Sequence, residues 1–166
     1  VTVAVSLNGG VVSGSDAVDG VGSYTITDLT MTGGTIVTLF IDGAASDKAV
    51  TVTLGSGGSM TGIDLHRNNL IVRSESGTTA ITNANLNIAD NSGDTDIKAI
   101  YSVNASSVLQ IAADKQLYLW SGKRYTPGAE IRTHDMKIEG ILTLNTSPVT
   151  ITGGLRAHLG RLTSSG

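Results

Sequence analysis

The stretch Leu117–Gly153 limits what this chain can fold into more than any other. Within it, the apolar beats Leu117/Leu119, Ile131, Met136/Ile138, Leu142/Leu144 and Val149/Ile151 recur every six to twelve residues, with Gly, Pro, Asn or Asp between them. A strand needs only a few residues at period two, whereas a helix needs ten or more at period 3.6. No interval between these turn signals holds a helix, so the stretch reads as a series of short strands.

The rest of the chain carries the same rhythm. Val1–Leu7 alternates cleanly, with Val1, Val3, Val5 and Leu7 on one face, and Asn8-Gly9-Gly10 follows as a tight turn. Short strands are expected at Val11-Val12, Tyr24–Ile26, Leu29–Met31, Thr35–Ile41, Ala49–Leu54, Ile63/Leu65, Leu70–Val72, Ala80–Thr82, Leu86–Ile88, Ile97–Val103 and Val108–Ala112. Ser13–Ser23 and Asp90–Asp96 read as acidic loops, and Gly154–Gly166 as a loosely alternating tail. No convincing helix and no composition break appear, so residues 1–166 form a single all-β domain, whole or part of a longer chain.

Two architectures suit such a chain. A parallel β-solenoid stacks three- to five-residue strands into rungs with Gly/Asn/Asp corners. At roughly 22 residues per rung and about 4.8 Å between strands it would give about seven rungs and a rod about 35 Å long. An antiparallel β-sandwich or jelly roll uses longer strands and hairpins, and the clean first strand and the Asn-Gly and Asp-Gly turns speak for it. The brevity and number of strands favour the solenoid. Its open strand edges invite stacking.

Composition narrows the function. Charged residues make up 15% of the chain, against about a quarter in ordinary soluble domains, so hydroxyls and amides supply much of the polar surface. Cysteine is absent, which excludes thiolate metal sites and a cysteine nucleophile. No window approaches the roughly 18 apolar residues of a membrane helix, so no membrane insertion is expected. The start at Val1 suggests a removed leader or a fragment. Residues 1–47 hold five acids and no Lys or Arg, while residues 115–166 hold seven bases against three acids. Such axial polarity favours head-to-tail contact between copies. The bases are scattered rather than interleaved with aromatics, so no nucleic acid is expected.

Catalytic signatures are missing. The glycine run at 55–59 lacks the lysine and helix of a phosphate loop, and no nucleophile elbow or metalloprotease motif occurs. His134 and Asp135 would point to opposite faces of a strand, and Asp64 and His66 to one exposed face. Glu130, Asp135 and Glu139 could supply the carboxylate pair of a polysaccharide-cleaving enzyme, yet Glu130 and Glu139 read as rim residues. The loop with Asp90, Asn91, Asp94 and Asp96 could offer hard oxygens to calcium, though it lacks the full spacing of a calcium-binding loop. Tyr118 and Trp120 would share an outer face, with Tyr125 across a turn and Lys123 and Arg124 alongside. Such a platform needs a cover: a loop of the same chain, a neighbouring subunit or a glycan. Asn104-Ala105-Ser106 and Asn145-Thr146-Ser147 match the glycosylation acceptor pattern.

The run LYLWSGKRYTPGAEIRTHDMKIEGILTLNTSPVTITGG resembles, in rhythm and composition, the repetitive β segments of bacterial cell-surface adhesins and of phage fibre or decoration proteins. That resemblance covers the last 50 or so residues and implies a fibrous exterior role. The chain is therefore expected to be a non-enzymatic structural protein, extracellular or on a virion exterior. It would self-assemble into a fibre or surface layer through β-edge addition, with Val1, Val3, Val5 and Leu7 as an assembly strand, and through charge-complementary ends. A glycan-binding adhesin or decoration module is the alternative, and a polysaccharide-cleaving enzyme the third. No cofactor is expected beyond the calcium noted above.

Overall fold

The computed structural model describes residues 1–158 and 160–164; Leu159, Ser165 and Gly166, within the tail expected to alternate loosely, lie outside the described residues. The first four strands are long and antiparallel. β1 (Thr2–Leu7) lies between β2 (Val12–Ala17) and β3 (Gly33–Asp42), and β3 pairs with β4 (Val50–Ser56). Asn8 and Gly9 both take positive φ, 49° and 67°, the geometry that turns a hairpin in step with strand twist.

From β4 onward the large sheet changes sense. β5 (Asn69–Ser74) joins β4 in parallel. An insertion follows, comprising α1 (Asn83–Asp90), α2 (Thr95–Lys98) and β6 (Tyr101–Val103). The remaining strands come in threes: β7 (Leu109–Ile111), β8 (Gln116–Leu119) and β9 (Arg124–Tyr125); β10 (Ile131–Thr133), β11 (Asp135–Ile138) and β12 (Ile141–Thr143); β13 (Val149–Ile151), β14 (Leu155–Ala157) and β15 (Arg161–Thr163). Each member of a triplet enters a different sheet. The eight-stranded sheet runs β14-β11-β8-β5-β4-β3-β1-β2, the second β13-β10-β7-β6, and the third β15-β12-β9.

The short triplets stack because their apolar residues fall in register. Leu117, Met136 and Leu155 are paired neighbours 19 residues apart, and Leu109, Ile131 and Val149 pair in the same way in the second sheet at spacings of 22 and 18. Tyr125, Leu142 and Leu162 line up in the third. Apart from the exposed last-rung residues Leu155 and Leu162, these ladders converge on one interior with Ala4, Phe40, Val50, Val52, Leu70 and Val72 from the large sheet and Leu86, Ala89 and Ile97 from the helices. Corners are tight where rungs meet. A Cβ on Gly140 would lie 2.3 Å from the Lys123 carbonyl oxygen, and one on Gly160 would lie 2.4 Å from that of Ile138.

The all-β class holds, but the uniform solenoid of seven rungs does not describe the sheets, which are mixed. Two further expectations are corrected. Leu86–Ile88 belongs to α1 and Ile97 to α2, not to strands. In α1 the inward residues Asn83, Leu86, Ala89 and Asp90 follow helical spacing. The N–H of Asn85 donates to Thr82 Oγ1 at 3.2 Å, and that of Thr82 to Asn85 Oδ1 at 2.9 Å, a capping box that starts the helix. Tyr24–Ile26, Leu29–Met31 and Ile63/Leu65 are extended yet join no ladder. Their apolar side chains instead pack over Val3, Val5, Val37 and Leu39 on the outer face of the large sheet.

Candidate functional site

The expected assembly strand is interior to its sheet. β1 is paired along both edges, by β2 and β3, and Val3 and Val5 are buried. Val1 is exposed and Leu7 partly buried. The edge facing outward at this end belongs to β2, so Val1–Leu7 does not offer itself to a neighbour.

The aromatic platform divides between two sides of the molecule. Leu117 and Leu119 face the core as expected, and Tyr118 and Trp120 share the outer face with ring centroids 5.2 Å apart. Their cover comes from the same chain. His66 stacks 5.6 Å from Tyr118 and meets Trp120 edge-on at 5.6 Å. The Lys137 ammonium lies 4.1 Å above the Tyr118 ring and the Arg73 guanidinium 5.2 Å from that of Trp120. The Tyr118 hydroxyl donates to Glu139. Burial, then the carboxylate of Glu139, raise the Tyr118 phenol above its ordinary value. Lys123 pairs with Glu75 at 2.8 Å, and Arg124 is exposed.

Tyr125 is the correction. It points into the core, 1% exposed, and its hydroxyl donates to Asn83 Oδ1. The Asn83 amide nitrogen in turn donates to the carbonyls of Ser107 at 2.8 Å and Glu130 at 3.1 Å. This buried asparagine ties the helical insertion to two rungs, a role that its sequence surroundings gave no signal for.

The acidic loop does not converge on a cation. Asp96 accepts from Lys48 and from the Gly43 N–H. Burial alone would raise its pKa, but those two partners hold it below the ordinary 3.8. Asp90 pairs with Lys98 at 3.1 Å and accepts from the Val103 N–H. Asp94 caps α2 through the Asp96 N–H at 2.8 Å, and Asn91 ends α1. Among the described residues, no three His, Cys, Asp or Glu side chains gather where a metal ion could sit.

The carboxylates considered for glycan cleavage are also engaged. Glu130 makes two 2.9 Å bonds to Arg132, which hold it below its ordinary value. Asp135 accepts from the Gly154 N–H at 2.6 Å. It also lies 3.5 Å from His134 Nδ1. The two residues were expected to diverge, but His134 sits at the corner between β10 and β11, where strand alternation does not apply.

The two ends of the stack are the least satisfied surfaces. Val1, Val11, Val12 and Val21 are exposed at the β1–β2 end, and Leu155 and Leu162 at the β14–β15 end. Beside the latter, Leu144, Val149, Ile151, Leu155 and Leu162 border a hollow of about 90 Å³. Sheet order separates charge along the same axis: Asp16 lies on β2 and Asp42 on β3, whereas Lys137 lies on β11, Arg156 on β14 and Arg161 on β15. On the outer face, a cleft of about 800 Å³ opens between residues 22–31 and 57–64.

Fold and surfaces together define an all-β protein of mixed sheets. Comparison with protein-family models, curated proteins and solved structures finds no match. Among the described residues no helix is long and apolar enough to cross a membrane.

Proposed function

We propose that this chain is a structural, non-enzymatic β-protein of an extracellular or virion-exterior assembly, and that copies join head to tail along the stacking axis. On this reading β5 to β15 are a short β-solenoid, and the antiparallel strands β1–β4 close its first end. The observation that carries the proposal is the coincidence of exposed apolar residues with opposite charge at the two ends. The β14 edge of one copy would continue the sheet of the next at its β2 edge. Leu155 and Leu162 would be covered, and Arg156 and Arg161 would approach the acids of the first 47 residues. Such a contact joins unlike surfaces, so it propagates as a filament unless its rotation closes a ring.

The exterior location follows from the fibrous resemblance and from a surface of hydroxyls and amides. Negative-stain microscopy tests the assembly. Wild-type protein should give filaments or rings, and Leu155→Asp together with Arg156→Glu should leave single particles with an unchanged circular dichroism spectrum. Single particles from wild type at every concentration would refute the reading. Deleting Val1–Leu7 is not a clean test, because it removes an interior strand.

A further inference from the structure

We propose that the cleft between residues 22–31 and 57–64 binds an extended, basic peptide whose alternate side chains are apolar, by strand addition. The inference goes beyond head-to-tail assembly and uses a different surface.

Three observations converge on it. First, both walls consist of short alternating pieces, separated by left-handed Asp28 at φ 60° in one and Gly62 at φ 62° in the other. Tyr24, Ile26, Leu29 and Met31 alternate inward with exposed neighbours, as do Met60, Ile63 and Leu65. Yet among the described residues no backbone–backbone hydrogen bond reaches residues 24–31 or 57–65. The Tyr24 hydroxyl links the two walls by donating to the Ile63 carbonyl, and Arg73 on β5 donates to that of Gly62 at 2.7 Å. The carbonyls of Gly62, Ile63 and Asp64 and the N–H of Thr25 are taken by side chains, so a ladder falls to the main-chain groups of residues 26–31, the source of affinity when a peptide adds to an edge. Second, the floor is apolar, formed by Val5, Val37 and Leu39, and would take every second side chain of such a strand. Third, the lining carries Asp28 and Asp64 and no Lys, Arg or His, so complementarity selects a basic guest.

The probe is the blocked peptide Lys-Val-Thr-Val-Thr-Val-Lys, about 23 Å long when extended. Isothermal titration should show binding, and amide resonance shifts should concentrate in residues 22–31 and 57–64. The Glu-for-Lys peptide, and the D28N/D64N protein, should bind about tenfold more weakly at low salt. Methylating alternate peptide nitrogens should abolish binding, because the ladder is lost. Ser59→Trp, at an exposed position of the lining, should block the cleft while preserving the fold. No binding at millimolar peptide, or binding that neither Ser59→Trp nor D28N/D64N alters, would overturn the proposal. So would self-association that Ser59→Trp abolishes and the peptide does not compete with, since that assigns the cleft to a second copy.

Discussion

The two halves of this molecule bury their strands by different means. β1–β4 are six to ten residues long and antiparallel, and β1 and β3 are packed on both faces, with the core beneath and segments 24–31 and 60–65 above. The triplets from β7 onward have strands of two to four residues, and each is held chiefly by the rungs on either side. A strand of three residues makes too few bonds to persist alone, so stability in the second half is a nearest-neighbour property. Exposure rises toward its last rung, from the fully buried Leu117 level to Leu155 at 53%. The difference teaches that strands of the first half gain cover from a second layer, whereas those of the second depend on the next rung, and the last of them lacks one.

Core truncation should separate the halves most strongly. Phe40→Ala, in the doubly covered region, is expected to cost about 3–5 kcal/mol in chemical denaturation. Leu155→Ala, on the exposed rung, should cost well under that for the isolated subunit. Equal losses would break the contrast. Next in size is Gly140→Ala, whose Cβ would collide with the Lys123 and Trp120 carbonyls; overpacking of this kind costs about 1–3 kcal/mol. It should speed hydrogen exchange in β9 and β12 and leave β1–β3 protected.

Tyr125→Phe removes the donor to buried Asn83 and should cost about 1–2 kcal/mol, loosening the helical insertion first. Acid supplies the smallest effect. Glu75, despite its burial, is held below its ordinary 4.5 by Lys123 and Arg73, as Asp96 is held below 3.8 by Lys48 and Gly43. A depressed carboxylate contributes stability that is present above its unfolded-state value and lost as pH falls through the folded one. Denaturant midpoints should therefore fall below about pH 4.5, and K48M should flatten the part due to Asp96.

Much of this contrast was legible in the sequence. Clean alternation in Val1–Leu7 and the Asn8-Gly9 turn do yield a hairpin strand, and the brief beats after Leu117 do stack. Charge polarity is readable because strand order follows chain order from β3 to β14 along the large sheet. The helices escaped because Leu86 and Ile88 mimic strand alternation, and the capping box uses Asn85 where Glu or Gln is the familiar signal. Tyr125 was placed wrongly because Arg124-Tyr125 begins a strand in a different sheet from Tyr118 and Trp120, and a change of sheet resets which face points inward. Pairing of β1 on both sides depends on β3, a contact 30 to 40 residues away that local pattern does not encode.

The central claim is that the exposed last rung of one copy meets the acidic first end of another. Sedimentation velocity across protein concentration and sodium chloride tests it most directly. Wild type should form species larger than the 17.0 kDa subunit, growing with concentration and shrinking as salt screens the opposed charges. The Leu155→Asp/Arg156→Glu protein should sediment as a monomer throughout. A wild-type protein that stays monomeric at every concentration and salt, or assemblies indifferent to that double substitution, would contradict the account.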